Sequence, residues 1–414
     1  MQPVDLLIHA RWVVPVEPVG TILDNHALAV HQGKIVALLP SAQAEERFTA
    51  SQVVHRSHHV LIPGLINAHT HTAMSLLRGL ADDLPLRPWL EKHIWPAETQ
   101  WMSPRFVQDG AELAIAEMLL SGTTCFNDMY FFPDAVAKTA VKSGIRASIG
   151  MIVINFPSAW AQDATEYLSR GMALRDDWQD ENLLSFVFAP HAPYTVDDAA
   201  LKQIKTFADE LDVPVQIHLH ETAQEVAKAF ETSGQRPLDR LDKLGLLNNS
   251  LMAVHMTALE DHDIARLAET GASVVHCPES NLKLASGFCP VAKLAAAGVN
   301  LALGTDGAAS NNDLDMLGEM HTAALLAKGV AGDAAALPAA DVLEMATLGG
   351  ARALGLSDSI GSLSVSKWAD VTCVDLQAAA TQPVYNPVSQ LVYAASRDQV
   401  SDVWVAGQQQ VREG

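Results

Sequence analysis

The chain has 414 residues, 49% hydrophobic and 18% charged, a composition that belongs to a folded globular protein and excludes a disordered one. Its 27 basic and 48 acidic residues leave a formal charge of -21, which repels phosphate backbones and anionic membrane surfaces. Neither polymeric nucleic acid nor a membrane is therefore expected as a partner.

At the start, MQPVDLLIHARWVV lacks the basic, apolar and small-residue succession of a secretory leader, and no run of about 18 apolar residues follows anywhere. A cytoplasmic location is expected. Residues 4 to about 60 then read as short strands broken by turns, in VDLLIHARWVV, HALAVHQGKIVALL and SQVVHRSHHVLI. The same texture returns in KWADVTCVDL and SDVWVAGQQQV. A small β-sandwich assembled from both termini, 1–61 and 363–414, accounts for the two flanks.

Between them, 62–362 alternates strand-like runs with helical stretches such as Pro104 to Leu120, capped by Ser103, and Asp197 to Leu211. Alternation of this kind implies parallel strands with crossover helices. Eight runs end near His71, Asp128, Met151, His191, Glu221, His255, Cys277 and Asp306, which favours a closed (β/α)8 TIM barrel of about 250 residues. No G-x-G-x-x-G or P-loop follows a strand, which disfavours an open nucleotide-binding sheet. The four cysteines are scattered without a C-x-x-C pair, so thiolate zinc and disulfides are not indicated.

Several runs stay apolar until a His, Asp or Glu appears at the carboxyl end, which is the active face of such a barrel. PGLINAHTHTAM places His69 and His71 on one face of a strand, where two imidazoles can meet one metal. His218 closes VPVQIH and Asp306 closes NLALGTD. Three imidazoles and a carboxylate suit zinc, or iron or another first-row divalent metal, better than magnesium or calcium. Such a metal brings water to hydroxide near neutral pH, and Asp306 is placed to take a proton from it. Glu221, three residues past His218, is read as the proton shuttle of a hydrolytic deamination, and His255 as a group that orients the water or stabilises charge.

The long segment PGLINAHTHTAMSLLRGLADDLPLRPWLEKHIWPAE, with SGTTCFNDMY, APHAPY, IHLHET, HCPESNLKL and LGTDGAASNN, resembles the amidohydrolase superfamily. Within it, these motifs resemble the deaminases of 5'-methylthioadenosine and S-adenosylhomocysteine. The resemblance implies one zinc per subunit held by His69, His71, His218 and Asp306. It further implies that Glu98 accepts hydrogen bonds from both ribose hydroxyls, that His191 contacts a small-molecule nucleoside and that Glu221 meets the purine edge. A carboxylate presenting two acceptor oxygens to a vicinal diol is chemically sensible. Trp89 is read as an apolar wall over the 5' substituent or base, with plain packing as its alternative.

One departure bears on substrate choice. Some relatives carry arginines after the third strand to grip a homocysteine carboxylate, whereas GMIVINFPSAW is apolar there apart from Asn155. Methylthioadenosine is therefore favoured over S-adenosylhomocysteine, unless Arg170 or Arg175 reaches the site. A hydrolase of a free base or triazine on the same scaffold is the rival reading, and a noncatalytic scaffold barrel the remote one. His276 is left as structural; His55, His58, His59, His93 and His220 are expected to face solvent or to pack. A homo-oligomer is compatible with this type of barrel.

Overall fold

A computed structural model describes residues 1–414. The amino-terminal segment forms β1 (Gln2–Val13), β2 (Leu23–His31), β3 (Lys34–Pro40) and β4 (Phe48–Pro63). The run HALAVHQGKIVALL divides at Gln32 and Gly33, whose φ values of 50° and 75° are both left-handed. Such a two-residue turn matches the twist of antiparallel strands, so His31 pairs with Lys34 and β2 returns as β3.

Eight parallel strands follow, each hydrogen-bonded to the next: β5 (Leu65–Thr70), β6 (Thr123–Asp128), β7 (Arg146–Val153), β8 (Leu184–Pro190), β9 (Val215–Leu219), β10 (Leu251–His255), β11 (Ser273–His276) and β12 (Leu301–Leu303). They correspond to the eight apolar runs. Apart from the first two residues or so of β8 every strand position is buried, because helices cover the outside and side chains fill the interior. The gap between the last strand and the first is bridged by Asp306 N–H to His69 O and Thr305 N–H to Asn67 Oδ1, both 3.0 Å. Gly304 permits that approach, since a Cβ there would lie 2.8 Å from His69 N.

The crossover helices carry their expected start signals. Ser103 Oγ accepts from Phe106 N–H at 3.2 Å at the head of Pro104–Leu120, and Asp197 caps Asp198–Leu211 through Ala200 N–H at 2.9 Å. The second helix buries Leu201 and Ile204, each worth about 1.5–3 kcal/mol relative to exposure.

The carboxyl-terminal strands β13 (Val371–Asp375), β14 (Val400–Val405) and β15 (Gln408–Arg412) extend the first sheet through β4, giving the order β15-β14-β13-β4-β1-β2-β3. Ile35 at one end of this order and Trp404 near the other share one apolar cluster, and Ala369 N–H reaches Gly33 O at 2.9 Å. The sheet thus curls until its two halves face each other. It is bolted to the barrel by Asp370, which accepts from Arg146 Nε and Nη2 at 2.8 and 3.2 Å. With both side chains buried, removing either partner would cost about 3–5 kcal/mol. Within the C-terminal span, Pro387–Tyr393 is helical and buries Val388, Leu391 and Val392 in the barrel's own core. Asn386 caps it ahead of a proline at its first position. No helix is long and apolar enough to cross a membrane.

Candidate metal centre and substrate cleft

The strand ends bring the histidines together. His69 lies in β5 and His71 just past it, His218 is the penultimate residue of β9, and His255 is the last of β10. Asp306 follows β12 by three residues and Glu221 follows β9 by two. His255 and Asp306 both have left-handed backbone, φ 77° and 62°, conformations that cost about 1–3 kcal/mol and persist where the surroundings enforce them.

His71 Nδ1 lies 2.6 Å from Met129 O and His218 Nδ1 2.7 Å from His191 O. A carbonyl only accepts, so each Nδ1 carries a proton and each Nε2 is the atom left to meet a metal. His69 Nδ1 meets Gln216 Oε1 at 3.2 Å, and Asn127 Nδ2 donates to that same oxygen at 2.9 Å. The Nε2 atoms of His69 and His218 then converge to 3.1 Å with lone pairs facing, which is repulsive without a cation between them. Asp306 Oδ1 stands 3.2 Å from His71 Nε2 and 3.6 Å from His69 Nε2. This nitrogen-rich donor set with one carboxylate fits zinc or a similar first-row ion. His255 also converges with His69 and His218, while its Nδ1 is held by Asn281 Oδ1 at 2.9 Å.

Burial disfavours charge on these rings, taking His69 down to about 4, His191 down to about 3 and His218 well below the usual histidine value. His71 goes the other way: burial opposes its charge, but the Asp306 carboxylate outweighs it and pushes the ring up to about 9. Burial likewise works against the Asp306 carboxylate, yet contact with His69 and His71 holds it well below the carboxylate range. The centre therefore pairs one anionic carboxylate with a charged His71 among otherwise neutral imidazoles, and a bound cation would take the place of the His71 proton. Glu221 is raised to about 8, chiefly by burial and then by the charge of Asp306.

His71, His218, His255, Asp306 and Glu221 line one cleft together with Trp89, Glu98 and His191. Glu98 sits on the helix Trp95–Trp101, and its Oε1 accepts from Tyr130 Oη at 2.7 Å. Burial raises its carboxyl to about 7 against the lowering effect of that bond. Trp89 is buried and lines the cleft, so wall and packing are one role here. Ile152, Ile154 and Phe156 form another wall. Asn155 turns away to Asp197, while Arg170 pairs with Glu166 and Arg175 with Asp176, and none of the three lines the cleft.

Sequence reasoning missed the groups that hold the site: Tyr130, Gln216, Asn281 and Ser280, whose hydroxyl donates to Asp306 Oδ2 at 2.7 Å. Tyr130 ends SGTTCFNDMY, and Ser280 and Asn281 open SNLKL, so the signal lay inside motifs already singled out. His220 is not solvent-facing. It is fully buried, with Nδ1 3.1 Å from Ala258 O and Nε2 accepting from Leu238 N–H, and so ties two loops together. His55, His58 and His93 are exposed, and His276 is buried outside the cleft.

The profile of the amidohydrolase family matches residues 60–409. A 5-methylthioadenosine/S-adenosylhomocysteine deaminase from Teredinibacter turnerae is 51% identical over 99% of this chain and 92% of its own. An adenosine deaminase from Xanthomonas campestris, solved with bound zinc, is 57% identical with a TM-score of 0.98, covering 100% of this chain and 94% of its own. An atrazine chlorohydrolase from Arthrobacter aurescens superposes with a TM-score of 0.91 over 99% of this chain and 95% of its own, but at 23% identity it speaks for the fold alone. A family profile spanning most of the sequence, together with relatives similar from end to end, establishes that this chain belongs to the amidohydrolase family.

Proposed function

We propose that the protein is a zinc-dependent deaminase of 5'-modified adenosines, converting 5'-methylthioadenosine to its inosine analogue and ammonia. The observation that carries this reading is one cleft with Glu98 on its wall and Glu221 beside the converging imidazoles. A free base has no diol for Glu98, whereas a nucleoside spans both carboxyl groups. The names of the similar deaminases support the same reading.

His69, His71, His218 and Asp306 would hold one zinc ion per subunit. Bound there, zinc acts as a Lewis acid and brings water to hydroxide near neutral pH. Glu221 gives its proton to N1 of the purine as the water oxygen adds to C6, and the first proton shed by the water restores the Glu221 carboxyl. Asp306 and His255 handle the second water proton, which passes to the amine as the C6–N6 bond breaks. His191 and Trp89 position the nucleoside, and Glu98 accepts from its 2'- and 3'-hydroxyls. Such a reaction on a small solute fits a cytoplasmic enzyme, alone or as a homo-oligomer.

The first test is ammonia release by the zinc-loaded protein on methylthioadenosine, S-adenosylhomocysteine, adenosine, adenine and guanine at matched concentrations. Turnover highest on methylthioadenosine is expected; activity confined to free bases would overturn the ribose role of Glu98. Because Ile152, Ile154 and Phe156 offer no partner to a charged tail, Ile154→Arg is expected to raise kcat/KM for S-adenosylhomocysteine relative to methylthioadenosine by about tenfold. An unchanged ratio would remove the wall from the 5' site. Tyr130→Phe takes one donor from Glu98 and is expected to raise KM about 2–10-fold with kcat held, as read from initial rates.

A further inference from the structure

On the outside of the barrel, away from the cleft, we infer that Asp239, His262 and Asp263 form a second site for a divalent first-row metal ion. Asp239 lies on the short helix Pro237–Lys243, and His262 and Asp263 lie in the first turn of the helix Asp261–Thr270. One donor atom from each falls within 4.8 Å of the other two. His262 Nε2 is 3.2 Å from Asp263 Oδ1 and 4.0 Å from Asp239 Oδ1.

Asp263 points to a ligand. It is fully buried, and its Oδ2 is already satisfied by Arg236 Nη2 at 2.7 Å and Glu260 N–H at 2.8 Å. Its Oδ1 is buried without a hydrogen-bond partner and faces the other two donors. Leaving a buried carboxylate oxygen unpaired is costly, and a cation shared with His262 and Asp239 removes that cost. Glu260 Oε2 stands 3.6 Å from His262 Nδ1, beyond hydrogen-bond distance, and adds negative charge on the side of the ring away from Nε2. The three carboxylates of Asp239, Glu260 and Asp263 against the guanidinium of Arg236 leave two negative charges, which matches a divalent ion. Mixed carboxylate and imidazole donors favour zinc or a neighbouring first-row metal over calcium. An ion here would clip the two helices together. His262 and Asp239 are 50% and 42% exposed, so they have room to close on it.

The test counts metal rather than turnover. The zinc-loaded holoenzyme is dialysed to equilibrium against graded free zinc, and bound zinc per chain is measured by mass spectrometry for wild type, His262→Ala and Asp239→Asn. Wild type is expected to take up one equivalent more than either variant, and each variant to bind that equivalent at least about tenfold more weakly. The variants' retained first equivalent and unchanged deaminase rate verify that they are folded, since neither residue touches the cleft. A wild type with no extra equivalent below about 1 mM zinc, or an extra equivalent that survives in either variant, overturns the assignment.

Discussion

Replacing Glu221 by Gln is expected to lower kcat by about 10²–10⁴, the range of a lost general acid, with KM changed by less than about threefold. The carboxyl is 7% exposed and raised to about 8, by burial first and by the charge of Asp306 second, so it still holds a proton at neutral pH. A bound cation offsets the Asp306 contribution but leaves burial in place. Glutamine keeps the size of the side chain and the backbone N–H bond from residue 221 to Glu225 Oε2 at 2.9 Å, but it has no acidic proton to give N1. The sign of the pH effect follows. As pH rises the wild-type carboxyl loses its proton and activity falls, and this limb is absent in the variant. Steady-state rates across pH, with zinc content measured alongside, separate the outcomes. A variant within tenfold of wild type, or one that has shed its zinc, would remove the proton from Glu221.

How much of this was legible in the sequence depended on periodicity. His69, His71, His218, His255 and Asp306 stand at the carboxyl ends of apolar runs, and barrel polarity gathers such residues on one face. The period-two rule does not carry over to His220. In IHLH it shares a face with His218, but its φ of 49° ends the strand geometry and turns the ring toward Ala258 and Leu238. Glu98 followed no period at all. It is carried between β5 and the helix Pro104–Leu120 by an excursion that includes the wide five-residue turn Leu90–Ile94, and such a turn leaves no pattern distinct from an ordinary helix. Resemblance alone singled it out.

The supporting shell was hidden for a different reason. Gln216 and Asn127 read as polar interruptions of apolar strands, yet each satisfies the other across the barrel interior and together they fix the orientation of His69. Burying an amide is tolerable only when its hydrogen bonds are met, so the pair can exist only as a pair. Nothing local in either strand announces its partner 89 residues away. The terminal helix Pro387–Tyr393 did carry a local signal, Asn-Pro ahead of Val388, Leu391 and Val392, but the flanking strand texture outweighed it.

Glu98→Ala is expected to lower kcat/KM for methylthioadenosine by about 10², mostly through KM, while leaving any rate measured with free adenine unchanged. Two hydroxyl groups donating to one carboxylate contribute about 1.5–3 kcal/mol each, and partial replacement by water reduces the sum to about 2.7 kcal/mol, or about 10² in kcat/KM. Burial lifts this carboxyl to about 7, so it is neutral below that pH and ionised above it. A protonated carboxyl loses acceptor capacity, and wild-type KM for the nucleoside should therefore climb as pH falls through about 7. Glu98→Gln should flatten that climb, because the amide does not titrate. Tyr130→Phe should move it to higher pH, because the Tyr130 hydroxyl, 2.7 Å from Oε1, stabilises the charged form. The three variants thus separate ribose recognition from packing. A cavity left by Ala would weaken binding equally at every pH, and a nucleoside KM that is flat with pH in the wild type would remove Glu98 from the ribose.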